Sequence, residues 1–214
     1  MSSSRPLRPA SPDRDRRAAA AFQAAVAEAR AGIAAHRSSE GTVTFDSEPP
    51  PRRLAPHAAA FAATVELAGA EIGWGRFVLL HDPAGQEGWE GPFRIIAYVR
   101  AELDPEIAAD PLIGQVGWSW LTEALEARSA RFAAPSGTVT RVVTEGFGAK
   151  QDEPDTTGFE MRASWSPVAR DGRLELDRHI TAWADAMCIA CGLPPVEPGV
   201  APLRSRPPGP GRRP

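Results

Sequence analysis

Cys188-Ile189-Ala190-Cys191 holds the only two thiols of the chain, at a C-x-x-C spacing that could serve redox exchange or half of a zinc site. Disulfide exchange needs a depressed thiol pKa, which a helix N-terminus supplies and a helix C-terminus opposes. Here the pair closes a segment with Leu176, Ile180, Trp183, Met187 and Cys191 on one helical stripe. Gly192-Leu193-Pro194 follows as a glycine C-cap, a residue that packs back, and a stop. Tetrahedral zinc wants two further ligands, and His179 lies too far back along the same helix to join. The thiols are expected to be structural, with no metal and no cofactor.

His81-Asp82 is the other place where chemistry could gather, with Glu87, Glu90 and Arg94 close by in sequence. A histidine oriented by a carboxylate can act as a general base. Against that, Asp82-Pro83-Ala84-Gly85 has the residue order of a type I turn, Asp first, Pro second and Gly fourth. Gly146-Phe147-Gly148-Ala149-Lys150 lacks the spacing of a phosphate loop and the hydroxyl that must follow its lysine. The acids Glu102, Asp104, Glu106 and Asp110 belong to a turn and a helix start, where a solvated face is the simpler reading. No residue is assigned a catalytic role. Trp89 sits in the glycine-punctuated loop DPAGQEGWEGP, and Trp120 lies on the second stripe of a helix. Tryptophan that escapes the core marks binding surfaces. The candidate binding residues are therefore His81, Asp82, Trp89, Glu90, Arg94 and Trp120.

The elements that must position them follow from periodicity. A helix over 12–37 starts at Ser11-Pro12-Asp13 and carries Phe22, Val26, Ala29 and Ile33 on a narrow stripe. Thr42 to Phe45 could form a short edge strand, and residues 46–53, with three consecutive prolines, read as a linker. Strands are expected near 58–67, 74–81 and 93–101, the first two joined by a hairpin at Ala68-Gly69-Ala70. A helix over 115–128 has Trp118, Leu121 and Leu125 on one side and Val116, Trp120 and Ala127 on another. Pro135-Ser136-Gly137 reads as a turn into strands at 138–147 and 159–165. The last helix begins near Arg173. The links are too short for helical crossovers, so pairing should be antiparallel. The expected architecture is a single α+β domain over 11–196. Its five-stranded sheet is mostly antiparallel with helices on one face, in the order α-β-β-β-α-β-β-α. That order is similar to the secretion-chaperone-like folds. Residues 1–10 and 197–214, rich in Ser, Arg, Pro and Gly, are expected to be disordered tails.

Charge limits the partners. The net charge is −3 over 214 residues. Residues 1–37 and 201–214 each carry four more arginines than acids, which leaves the body between them strongly acidic. Such a body repels nucleic acid, which binds clustered cations; only the basic ends could touch it. No run approaches the ~18 apolar residues of a membrane span, and the N-terminus lacks the apolar core of a signal peptide. Two cysteines cannot make a secreted disulfide framework. The expected location is the cytoplasm.

The strings GRFVLLHDPAGQEGWEGPFRIIAYVRAELDPEIAADPL, VGWSWLTEALE, SGTVTRV, ASWSPV and AWADAMCIACGLPP together resemble an actinobacterial family, the domain of unknown function numbered three thousand, over about residues 54–200. The resemblance implies a bacterial cytoplasmic origin and brings no activity, cofactor or catalytic residue with it. On the residues alone, the first reading is a non-catalytic adaptor that recognises a protein partner through the glycine loop and the Trp120 stripe. The alternative is a small-molecule enzyme or ligand binder around His81, Asp82, Glu90 and Arg94. A third is an accessory to nucleic-acid metabolism acting through the arginine-rich ends.

Overall fold

Alternating apolar residues from Phe61 to Val65, Phe77 to Leu79, Phe93 to Val99 and Phe159 to Trp165 give four strands with one fully buried face. A computed structural model describes residues 12–152 and 155–194 and arranges these strands in one sheet. The elements are α1 (Pro12–Ala35), β1 (Thr42–Glu48), β2 (His57–Leu67), β3 (Ala70–His81), β4 (Phe93–Glu102), α2 (Pro105–Ala109), α3 (Ile113–Ala127), β5 (Phe132–Thr144), β6 (Thr156–Pro167) and α4 (Leu176–Ala190). The sheet is antiparallel throughout, in the order β1-β2-β3-β4-β6-β5. The expected tails at 1–10 and 197–214 lie outside the described residues.

The α+β class and the helix-covered face agree with the sequence reading, but the sheet has six strands instead of five. The segment read as a possible short strand followed by a linker is a full edge strand. Asp46, Ser47 and Glu48 pair with Ala62, Phe61 and Ala60, so the linker is confined to the residues after Glu48. The order becomes α-β-β-β-β-α-α-β-β-α, which departs from the secretion-chaperone-like pattern by β1 and α2. The turn expected at Pro135-Ser136-Gly137 lies inside β5. The register with β6 shifts between Ala133 and Ser136, and Ala134 takes a φ of 47°. A proline has no N–H for the ladder, and an edge strand with a bulge is where a sheet accepts one. The hairpin between β2 and β3 is as expected: Ala68 and Gly69 have φ of 53° and 83°, the signature of a type I′ turn.

α4 lies on the centre of the sheet. Leu176, Ile180, Trp183 and Met187 are fully buried, and the Trp183 indole donates to the Tyr98 carbonyl at 3.2 Å. Its N-terminus has no cap of its own; the Glu28 carboxylate of α1 accepts from the Leu176 N–H at 3.1 Å. Its C-terminus closes as read from sequence. Leu193 N–H reaches the Cys188 carbonyl at 3.0 Å and Gly192 N–H the Ile189 carbonyl at 2.9 Å, which is the Schellman pattern. Asp185 ties three helices together. It accepts from Arg128 at 2.6 and 3.0 Å and lies 3.3 Å from His36 Nε2.

His179 lies in the core beneath these elements, with Trp165 Nε1–H donating to its Nδ1 at 3.1 Å. Burial pushes the imidazole down to about 3 from the ordinary 6.5. Above pH 6.5 neither the folded nor the unfolded chain protonates this ring. As pH falls, the unfolded chain takes the proton and the folded one refuses it, so stability drops between pH 6.5 and about 3. The loss is up to ~1.4 kcal/mol per pH unit for one proton. His179→Gln keeps an acceptor for Trp165 and cannot titrate. Urea unfolding across that window should show a shallower pH slope for the variant, and equal slopes would exclude His179 as the source.

Candidate functional site

The uncovered face of the sheet carries the site. Cross-strand pairing sets Leu80 of β3 opposite Arg94 of β4, and Ile96 of β4 opposite Ser164 of β6, which in turn faces Ser136 of β5. The loop over 82–92 is strapped across this face. Asp82 N–H donates to the Pro92 carbonyl at 2.9 Å, closing the loop at its base. Gly85 N–H donates to the Asp82 carbonyl at 2.9 Å, as the turn reading requires, and Asp82 Oδ1 accepts from Ala84 N–H at 3.0 Å. Gln86 donates to Asp82 Oδ2 at 3.1 Å and to the Leu54 carbonyl at 2.9 Å, which ties the loop to the segment after β1. Glu90 N–H donates to Ser166 Oγ at 3.1 Å. Gly88 takes a φ of 79°, a conformation that lets Trp89 turn back onto the sheet. There Trp89 is half-buried against a small apolar cluster of Ala60, Val78, Leu80 and Ile96.

Arg94 lines the resulting cavity, which has a volume of about 630 Å³. The residue is only 7% exposed. Its guanidinium donates to Ser164 Oγ at 2.7 Å, Ser136 Oγ at 3.3 Å, Ser166 Oγ at 3.3 Å and the Ala134 carbonyl at 3.0 Å. Every one of these acceptors is neutral. Among the described residues no carboxylate lies within ion-pair distance of it. Burial lowers the Arg94 pKa, and no neighbouring charge offsets that shift. Arg162 lines the same cavity, but it is paired with Glu160 at 3.1 Å and stands 5.3 Å over the Tyr98 ring.

The structure divides the residues singled out from sequence. Trp89, Arg94 and the backbone of Glu90 come together. Asp82 holds the turn. His81 points to the opposite, helix-covered face, where it stacks on Phe93 at 4.2 Å and lies 5.3 Å from His57. Burial foremost, and then His57, lower its pKa, against a smaller opposing effect of Asp82. The His81–Arg94 constellation therefore does not converge, because adjacent strands place those two side chains on different faces. Trp120 also lies on the helix side, 5.4 Å from Phe159, so it shares no surface with Trp89. Burial pushes both thiols away from the thiolate, Cys188 up to about 11 and Cys191 up to about 12. Among the described residues no cluster of three or more His, Cys, Asp or Glu could hold a metal ion, and no helix is long and apolar enough to cross a membrane. Ser136, Ser164 and Ser166 are the site residues that the sequence reading did not single out. Alternation along β6 places Ser164 beside Arg162 on the outward face, but only the β4-β6-β5 order brings both strands to Arg94.

Residues 18–201 match the family described as Protein of unknown function (DUF3000). The chain belongs to that family. The match begins at Ala18, the first buried position of α1, and so takes in α1 and β1 as well as the stretch from residue 54 onward. No curated protein and no solved structure matches the chain.

The placement of the two tryptophans makes them separable. Trp120→Ala should cost about 2–3 kcal/mol, below the ~3–5 of a fully enclosed ring, because its indole supports Phe159. Trp89→Ala should cost less than half of that. Chemical denaturation of the two variants checks this, and a larger loss at Trp89 than at Trp120 contradicts it.

Proposed function

We propose that this protein is a non-catalytic binding protein whose site is the cavity between the 82–92 loop and the uncovered face of the sheet. Arg94 carries the reading. An enclosed cation without a carboxylate costs several kcal/mol in desolvation, and such costs are concentrated where a chain binds or reacts. The cavity volume falls within the ~300–1,000 Å³ of small-molecule sites. His81, the imidazole that could have served as a base, lies on the other face, which favours binding over chemistry.

A protein partner is the second reading, and β5 is the observation that favours it. This edge strand and the loop after it leave Val142, Val143 and Phe147 exposed at 39%, 63% and 79%. An apolar edge of that kind can accept a strand from another chain.

The first reading is tested by amide and indole NMR spectra of the full chain with a mixture of small neutral and charged fragments. Binding should move the resonances of Trp89, Ile96 and Ser136. Trp89→Ala should melt near wild type and lose those shifts. A cavity whose resonances stay still with every fragment contradicts the reading and leaves the β5 edge as the candidate surface.

A further inference from the structure

We propose that Arg94, Ser136 and Ser164 form a subsite for the carboxylate of a small organic acid whose apolar body lies against Trp89, Leu80 and Ile96. This deepens the binding reading above and rests on it. The proton count around the guanidinium points to an anion. Ser164 Oγ and Ser136 Oγ both accept from Arg94, at 2.7 and 3.3 Å, and stand 3.1 Å apart. One hydroxyl proton can link the pair. The other is left to point elsewhere, and both serines line the cavity. A hydroxyl that accepts from a cation becomes a stronger donor. The cavity thus offers a positive charge and a polarised O–H, and among the described residues no carboxylate pairs with Arg94.

The charge count narrows the class. Arg162 is already engaged by Glu160 and Tyr98, and Glu87 lines the cavity from the exposed side of the loop, so Arg94 is the one buried charge among the lining residues. A carboxylate balances it, whereas a phosphate dianion overshoots it. Phosphate sites draw on clustered backbone N–H groups at helix N-termini, and this cavity is lined by strands and the 82–92 loop. Trp89, Leu80 and Ile96, together with Leu54, supply the apolar wall beside the charge.

The test is calorimetric titration of the full chain with 3-phenylpropanoate, 3-phenylpropanamide and 2-phenylethyl phosphate. The carboxylate should bind saturably, and the amide and the phosphate each at least about tenfold more weakly. Arg94→Gln should abolish the difference between carboxylate and amide while the melting temperature stays near that of the wild type. Should Arg94→Gln not fold, the double variant Ser136→Ala/Ser164→Ala serves instead, with carboxylate binding weakened several-fold and amide binding unchanged. Equal binding of carboxylate and amide by the wild type overturns the proposal, as does tighter binding of the phosphate. A carboxylate preference that survives in the variants overturns it too. Binding of none of the three, while neutral fragments still move the cavity resonances, overturns the carboxylate assignment and leaves the binding reading intact. A silent cavity overturns both.

Discussion

Trp183 of α4 lies directly on Gly75 of β3; a Cβ at that glycine would sit 2.7 Å from the indole and 2.9 Å from Met187 Sδ. Gly73, one residue pair along, makes room for Cys191 in the same way. Those two glycines let a helix carrying a large aromatic sink onto the middle of the sheet, and the remaining helices are arranged around it. α1 closes on α4 so tightly that a side chain at Gly32 would meet the Asp177 backbone at 2.6 Å. It also lends Glu28 to cap the α4 N-terminus. α3 is held alongside by the Arg128–Asp185 pair. Dense packing of this kind tolerates no added volume without strain.

Committing the helices to one face leaves the other to be managed by little chain. The 82–92 loop and the segment after β1 cover only part of it, and the apolar cluster there is the small one under Trp89. An antiparallel sheet can leave one face to solvent when that face is polar. Much of this one is, with Arg76, Arg100, Arg162 and the serines on it. Arg94 differs from those arginines because it is enclosed. Its neutral ring of oxygens satisfies the N–H groups without cancelling the charge. The fold supplies a floor of four strands and the loop supplies a wall, and between them the guanidinium is held in place.

The helix-covered half of this architecture was legible from sequence. The apolar run of β4, the alternation in β6, the stripe on α4 and the glycine cap at Gly192 each state their structure locally. β1 was only half legible. Val43 and Phe45 face inward, but Asp46, Ser47 and Glu48 are poor strand formers that are held by pairing with β2. Pro135 looked like a turn because nothing local distinguishes a turn from a bulged edge strand. The candidate site was the least legible part. Arg94 and Trp89 stood out by type. Their relation to Ser136 and Ser164 depends on strand order, which places residues some forty and seventy positions apart around one guanidinium. His81 misled because its nearness to Arg94 in sequence conceals their opposite orientations across the sheet.

Nitrogen NMR of the Arg94 side chain reads directly whether this enclosed cation takes up an anion. With the guanidinium resonances assigned through the Arg94→Gln spectrum, the full chain is titrated with sodium acetate at constant ionic strength. The Arg94 nitrogens should shift saturably, with the exposed arginines moving little. A flat response at Arg94, or one that merely parallels the exposed arginines, would contradict it.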